Sequence, residues 1–88
     1  MTSATAKKAN GAMHRFELNS SLMTSAGYDD STRTLEIEFR HGGVYQYAQV
    51  PDALYAALLH ASSKGRFFHQ HIHGIFGFNR VSGRRAPA

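Results

Sequence analysis

Tyr45 and Tyr47 are the first residues of this 88-residue chain whose type and spacing point to chemistry. Two rings at i and i+2 of a strand share one face of a sheet. Beside a cation such as Arg40 they can stack on unpaired bases, each stack worth ~1–3 kcal/mol by truncation. Strand tyrosines also pack beneath helices without touching any ligand, so the pair carries two readings until its face is known. A second group is basic: Lys64, Arg66, Arg80, Arg84 and Arg85 fall in residues 53–88 with no acid among them. Phosphate contacts from such a segment give affinity that is salt-sensitive and indifferent to base sequence. A third group is His69, His71 and His73. On a strand the three imidazoles share a face and begin a divalent-metal site. On a helix successive members lie about 200° apart and no triad forms. The chain has no cysteine and its nearest acid is Asp52, so neither a metal site nor a cofactor is expected. There is no nucleophile elbow, no phosphate loop, and no carboxylate pair with an obvious base. Ser62 and Ser63 stand near histidines as serines do in any chain. A non-catalytic protein without a small-molecule substrate is the expectation.

Charge distribution qualifies the basic total. The formal charge is +4, from ten Lys and Arg against six Asp and Glu. Residues 1–18 carry +2, residues 19–52 carry −3, and residues 53–88 carry +5. Residues 19–80 hold five basic and five acidic side chains, so a neutral middle has basic ends. Any nucleic-acid contact should therefore depend on the region after Lys64. The length allows one domain, which buries only about 60% of its unfolded surface. So small a core makes a protein partner or self-association a fair expectation. An apolar fraction of 42% suffices for folding, and the lack of cysteine excludes a disulfide scaffold. No stretch approaches the ~18 apolar residues of a membrane span, and no apolar run follows Lys7 and Lys8 as in a secretory signal. A cytoplasmic protein without a membrane partner is expected.

The elements that must hold these residues are legible in part. Residues 1–15 read as a flexible tail of Thr, Ser, Ala, Lys, Asn and Gly, and residues 82–88 as a basic C-terminal tail, with one domain over residues 16–81 between them. From Ser20 a period of two places Leu22, Thr24, Ala26 and Tyr28 on one face of a strand over about residues 20–28, with Gly27 weakening it or marking a bulge. Asp29, Asp30 and Ser31 supply turn chemistry. Leu35, Ile37 and Phe39 then alternate with Glu36, Glu38 and Arg40, the clearest half-buried strand. His41-Gly42-Gly43 reverses the chain into a third strand over residues 44–50. A two-residue turn is the commonest hairpin connection. It puts Val44, Ala48 and Val50 on the face of Ile37, and Tyr45 and Tyr47 opposite, near Glu38 and Arg40. A three-residue turn inverts the assignment, because one residue of slip flips every side chain. Pro51 suits a first helical position and Asp52 the first turn. Leu54, Leu58 and Ala61 then make one stripe of a helix over residues 51–63. Residues 66–73 bury Phe68 and Ile72 whether helical or extended. Ile75, Phe76 and Phe78 read as late core residues.

The segment from Ser20 to Arg80 resembles the KTSC domain, a family named for its occurrence at the C-terminus of some lysyl-tRNA synthetases. The resemblance is carried by Ser20-Ser21, Gly27-Tyr28-Asp29, the strand residues Leu35, Ile37 and Phe39, and Gly42 followed by the Y-x-Y of Tyr45-Gln46-Tyr47. It continues through Val50-Pro51, Ala61, Ser63 and Gly65, and closes on Phe68 and Ile72. The histidine-rich stretch after Phe68 departs from the family pattern. The resemblance implies a small bacterial domain of unestablished function, with RNA binding suggested by the synthetase context, and it supplies no catalytic residue or cofactor.

Together these readings predict an α+β fold: a three-stranded antiparallel meander, a packed helix and a short second helix in the order β-β-β-α-α. An extended C-terminal segment completes the layer. RNA is the expected partner, through Tyr45, Tyr47, Arg40, Lys64, Arg66 and Arg80. A protein-interaction or homo-oligomerising module is the alternative.

Overall fold

The alternation around Ile37 builds the central strand of a five-stranded antiparallel sheet. The structure, a computed structural model, describes residues 15–82. Within them the order across the sheet is the order along the chain: β1 (Arg15–Glu17), β2 (Met23–Asp29), β3 (Thr34–Phe39), β4 (Gly43–Tyr47) and β5 (Phe78–Ser82). Two helices, α1 (Asp52–His60) and α2 (Lys64–His71), lie between β4 and β5 in sequence. The α+β class and both expected helices are present, but the sheet has two strands more than the expected meander. β1 is too short to show a period, and β5 lies in the segment expected to be merely extended. Arg15 and Ser82, assigned on sequence to the tails, begin β1 and end β5. The remainder of both tails, with Arg84 and Arg85, lies outside the described residues.

Local chemistry sets the helix limits. Pro51 stands before α1 with φ −64° and ψ 145°, as its N-cap and not its first turn. Asp52 then meets the positive end of the helix dipole. The helix stops at His60, short of residue 63, because Ala61 turns extended at φ −67° and ψ 139°. Capping decides the ambiguous segment that follows. The Ser63 hydroxyl accepts the Arg66 N–H at 3.4 Å, and residues 64–71 are helical.

One face of the sheet carries the core. Met23, Leu35, Ile37, Val50, Leu58 and Ile72 are wholly buried, each worth roughly 1.5–3 kcal/mol in removed apolar surface. Phe68 of α2 meets Phe39 and Tyr47 edge-on, with centroids 5.4 and 5.7 Å apart. Tyr55 of α1 stacks on Tyr28 at 5.0 Å, and the Tyr28 hydroxyl donates to the Val50 carbonyl at 2.5 Å. That bond ties the corner between β4 and α1 to β2.

Two register details differ from expectation. A bulge between Met23 and Ser25 resets β2, so Met23 joins Ala26 and Tyr28 on the core face. Thr24 does not continue that stripe, Leu22 packs partly buried against the core from just before the strand, and Gly27 sits in regular pairing with Arg15 and Glu36. The hairpin joining β3 to β4 also differs. Phe39 pairs with Gly43, so three residues, Arg40, His41 and Gly42, make the turn and the expected two-residue turn is overturned. Gly42 adopts φ +104°, which L side chains rarely adopt, and its N–H bonds the Phe39 carbonyl at 3.0 Å. The longer turn shifts register by one: Tyr45 stands opposite Ile37 and Tyr47 opposite Leu35, on the core face.

The sheet face turned away from the helices is polar, with Ser25 and Glu36 buried at its centre. Glu36, 6% exposed, accepts from Gln46 Nε2 at 2.8 Å and pairs with Arg15 Nε at 3.3 Å. Glu38 accepts from the Ser25 hydroxyl at 3.2 Å and lies 3.6 Å from Arg15 Nη1.

Candidate nucleic-acid interface

Tyr47 does not present its ring to a ligand. It is 4% exposed, wedged between Phe68 and Phe78. Burial, with a smaller contribution from neighbouring Tyr45, pushes its phenol up to about 12. The placement of both tyrosines beside Glu38 and Arg40 is thereby corrected, and the three-residue turn is the cause.

Tyr45 keeps part of its surface. It is half-buried, edge-on to Phe39 at 5.4 Å and tilted against Phe78 at 5.6 Å. Following the centroids from Phe39 to Tyr45, Phe78, Tyr47, Phe68 and back gives a closed circuit of five aromatic rings, each step between 5.4 and 5.7 Å. Phe78 is the member turned outward, at 55% exposure. Sequence reasoning assigned it to the core. Its place on an edge strand opposite Tyr47 could not be read without knowing that β5 exists. Ile75, also expected to be buried, is exposed, and only Phe76 of that group is partly buried against the core.

Arg80 completes this patch. It pairs with Tyr45 across β4 and β5, and its guanidinium carbon lies 5.9 Å from the Tyr45 centroid, within the range of a cation–π contact. A side chain at Gly43 would be 2.9 Å from Tyr45 Cε1 and 3.5 Å from Arg80 Nε. Glycine at that position lets the ring and the guanidinium settle over the backbone.

The other expected basic residues gather elsewhere. Arg40 Nε donates to the Ser20 carbonyl at 2.5 Å. Lys64 opens α2 and donates from Nζ to the Ala61 carbonyl at 2.8 Å, while Arg66, two residues on, is exposed. Arg40, Lys64 and Arg66 therefore stand around the turn after β1, and only Arg80 joins the tyrosines. The histidines separate as the helical reading requires. His71 tilts against Phe67 at 4.5 Å, whereas His69 and His73 meet edge to face at 5.5 Å. Among the described residues no three His, Cys, Asp or Glu side chains converge as metal ligands. No helix among them is long and apolar enough to cross a membrane.

Comparison with known proteins places this geometry. A family model described as the KTSC domain matches residues 19–76. An uncharacterised protein of Stutzerimonas stutzeri is 47% identical over 58 residues, covering 66% of this chain and 82% of the relative. A lysine–tRNA ligase of Trichormus variabilis is 42% identical over 55 residues, which are 62% of this chain but only 10% of the ligase. The crystal structure of a KTSC domain protein from Yersinia pestis superposes with a TM-score of 0.78 at 44% identity, covering 81% of this chain and all of the other. The fold is shared with the Yersinia pestis protein, and the chain belongs to the KTSC domain family.

Proposed function

We propose that this KTSC domain is a non-catalytic, cytoplasmic RNA-binding module that holds unpaired bases on its Phe78–Tyr45–Arg80 patch. The observation that carries this reading is the outward Phe78 ring, 5.6 Å from a Tyr45 ring that bears the Arg80 guanidinium. An exposed aromatic beside a cation suits base stacking, which tolerates any base. Phosphate contacts from Arg40, Lys64 and Arg66 would supply the salt-dependent part of the affinity. The likeness to a segment of lysine–tRNA ligases, enzymes whose name places them on RNA, supports the same partner.

The test is a titration of labelled single-stranded RNA at low and moderate salt. Saturable binding that weakens with salt and with Phe78→Ala supports the reading. No saturation at about 100 µM protein, weaker than ordinary non-specific affinity, removes it. A second reading, a self-associating or protein-binding module, is favoured by the exposure of Ile75, Phe78 and Val81 on and next to the β5 edge strand. Light scattering separates the two: a salt-insensitive monomer at high micromolar concentration counts against self-association.

A further inference from the structure

The turn after β1 and the start of α2 flank an open concavity, apart from the aromatic patch. This cleft of about 510 Å³ is lined by Ser20, Ser21 and Ser63 and by Lys64, Arg66 and His69, with no carboxylate on its walls. Side chains of several kinds converge there as donors. Lys64 spends one N–H on the Ala61 carbonyl and keeps two. Ser20 Oγ accepts the N–H groups of Leu22 and Met23 at 3.1 and 3.2 Å, so its own proton remains to be donated. The Arg66 guanidinium is exposed at the rim, and Arg40, bonded to the Ser20 carbonyl, adds a further positive charge to the same turn.

We infer that this cleft seats a phosphate group of the bound strand, resting on the RNA-binding reading for the identity of that strand. Two cations, an imidazole and hydroxyls approach a guest from two sides, the turn and the helix. That suits a tetrahedral anion with oxygens in several directions better than a planar carboxylate. The cleft opens to solvent, which leaves room for the sugar that carries the phosphate. The site positions the strand and the aromatic patch holds its bases, a division common in nucleic-acid recognition.

The experiment follows backbone amide resonances of the full chain while inorganic phosphate, acetate and chloride are added at matched ionic strength. Saturable shifts of Ser21, Ser63 and Gly65 with phosphate, at least fivefold tighter than with acetate, are expected. Arg66→Gln should weaken phosphate at least fivefold, while Arg80→Gln, in the aromatic patch, leaves it within twofold. The same amides responding alike to all three anions overturns the inference. Oligoribonucleotides with and without a 5′-phosphate are then compared. Cleft shifts with the phosphorylated strand alone assign a terminal monoester, and shifts with both assign a backbone diester. RNA that binds without moving these amides overturns the inference and leaves the RNA reading standing. Phosphate that binds where RNA does not overturns the RNA reading and, with it, the assignment of the phosphate to a bound strand, leaving a site for a free anion.

Discussion

Arg15 Nε lies 3.3 Å from Glu36 Oε2, joining the first strand of the sheet to its central strand across β2. Glu36 is almost wholly buried, and Arg15 supplies its counter-charge, with Gln46 as its hydrogen-bond partner. Removing one member of a buried pair leaves an uncompensated charge, whereas an exposed pair contributes little. Arg15 retains some exposure, so Arg15→Met should destabilise the fold by about 1–3 kcal/mol. Urea unfolding checks this, and a midpoint unchanged from wild type contradicts it.

The buried phenol of Tyr47 makes stability sensitive to alkali. Its ionisation in the folded state is pushed up to about 12, against the ordinary 10, chiefly by burial. The unfolded chain then releases this proton first, so the contribution is intact below pH 10 and is lost as the pH rises towards 12. Two units correspond to about 3 kcal/mol at most. Tyr28 and Tyr55, raised by burial as well, add in the same direction. Denaturant midpoints should hold from pH 7 to 9 and fall between 10 and 12, with a shallower fall in Tyr47→Phe.

Gly42 should tolerate no side chain cheaply. Nothing lies within 4 Å of where its Cβ would be, so the penalty is conformational and arises from φ +104°. Gly42→Ala is expected to cost about 1–3 kcal/mol. Thermal unfolding of the variant reads this out, and equal stability shows that the turn relaxes without loss.

Within the proposed interface, Phe78 and Tyr47 should behave oppositely. Phe78→Ala should weaken RNA binding about 5- to 150-fold, the equivalent of ~1–3 kcal/mol per stacked base. Tyr47→Phe removes only a buried hydroxyl and should leave affinity within twofold. Anisotropy titrations of both variants decide it, and the reverse ranking returns the interface to the tyrosine.

The sequence-based reading was strongest where local chemistry and burial agree. Leu35, Ile37 and Phe39 announce β3 by alternation, and Pro51 with Asp52 announces α1. It failed where one residue changes the outcome. Gly42 and Gly43 permit a turn of either length, and choosing the commoner one turned Tyr45 and Tyr47 outward. β5 was missed as a strand because its pairing with β4 spans both helices, a contact that no local pattern encodes. The interface suffered accordingly: Arg80 was grouped with the basic C-terminal residues and Arg40 placed beside the tyrosines, and Phe78 was assigned to the core. Arg40, Lys64 and Arg66 were singled out for charge, but their gathering around Ser20 depends on the bulge and the cap that position them.

The stacked Tyr28–Tyr55 pair has a spectroscopic consequence. The chain lacks tryptophan, and its four tyrosines fall into two groups: this pair joins β2 to α1, and Tyr45 and Tyr47 join the ring circuit with β5 and α2. Each region of the sheet therefore carries its own chromophores. Near-ultraviolet dichroism of Tyr55→Phe and Tyr45→Phe variants separates their signals. Loosening of the β5 edge can then be followed independently of the corner that Tyr28 pins, without an introduced label.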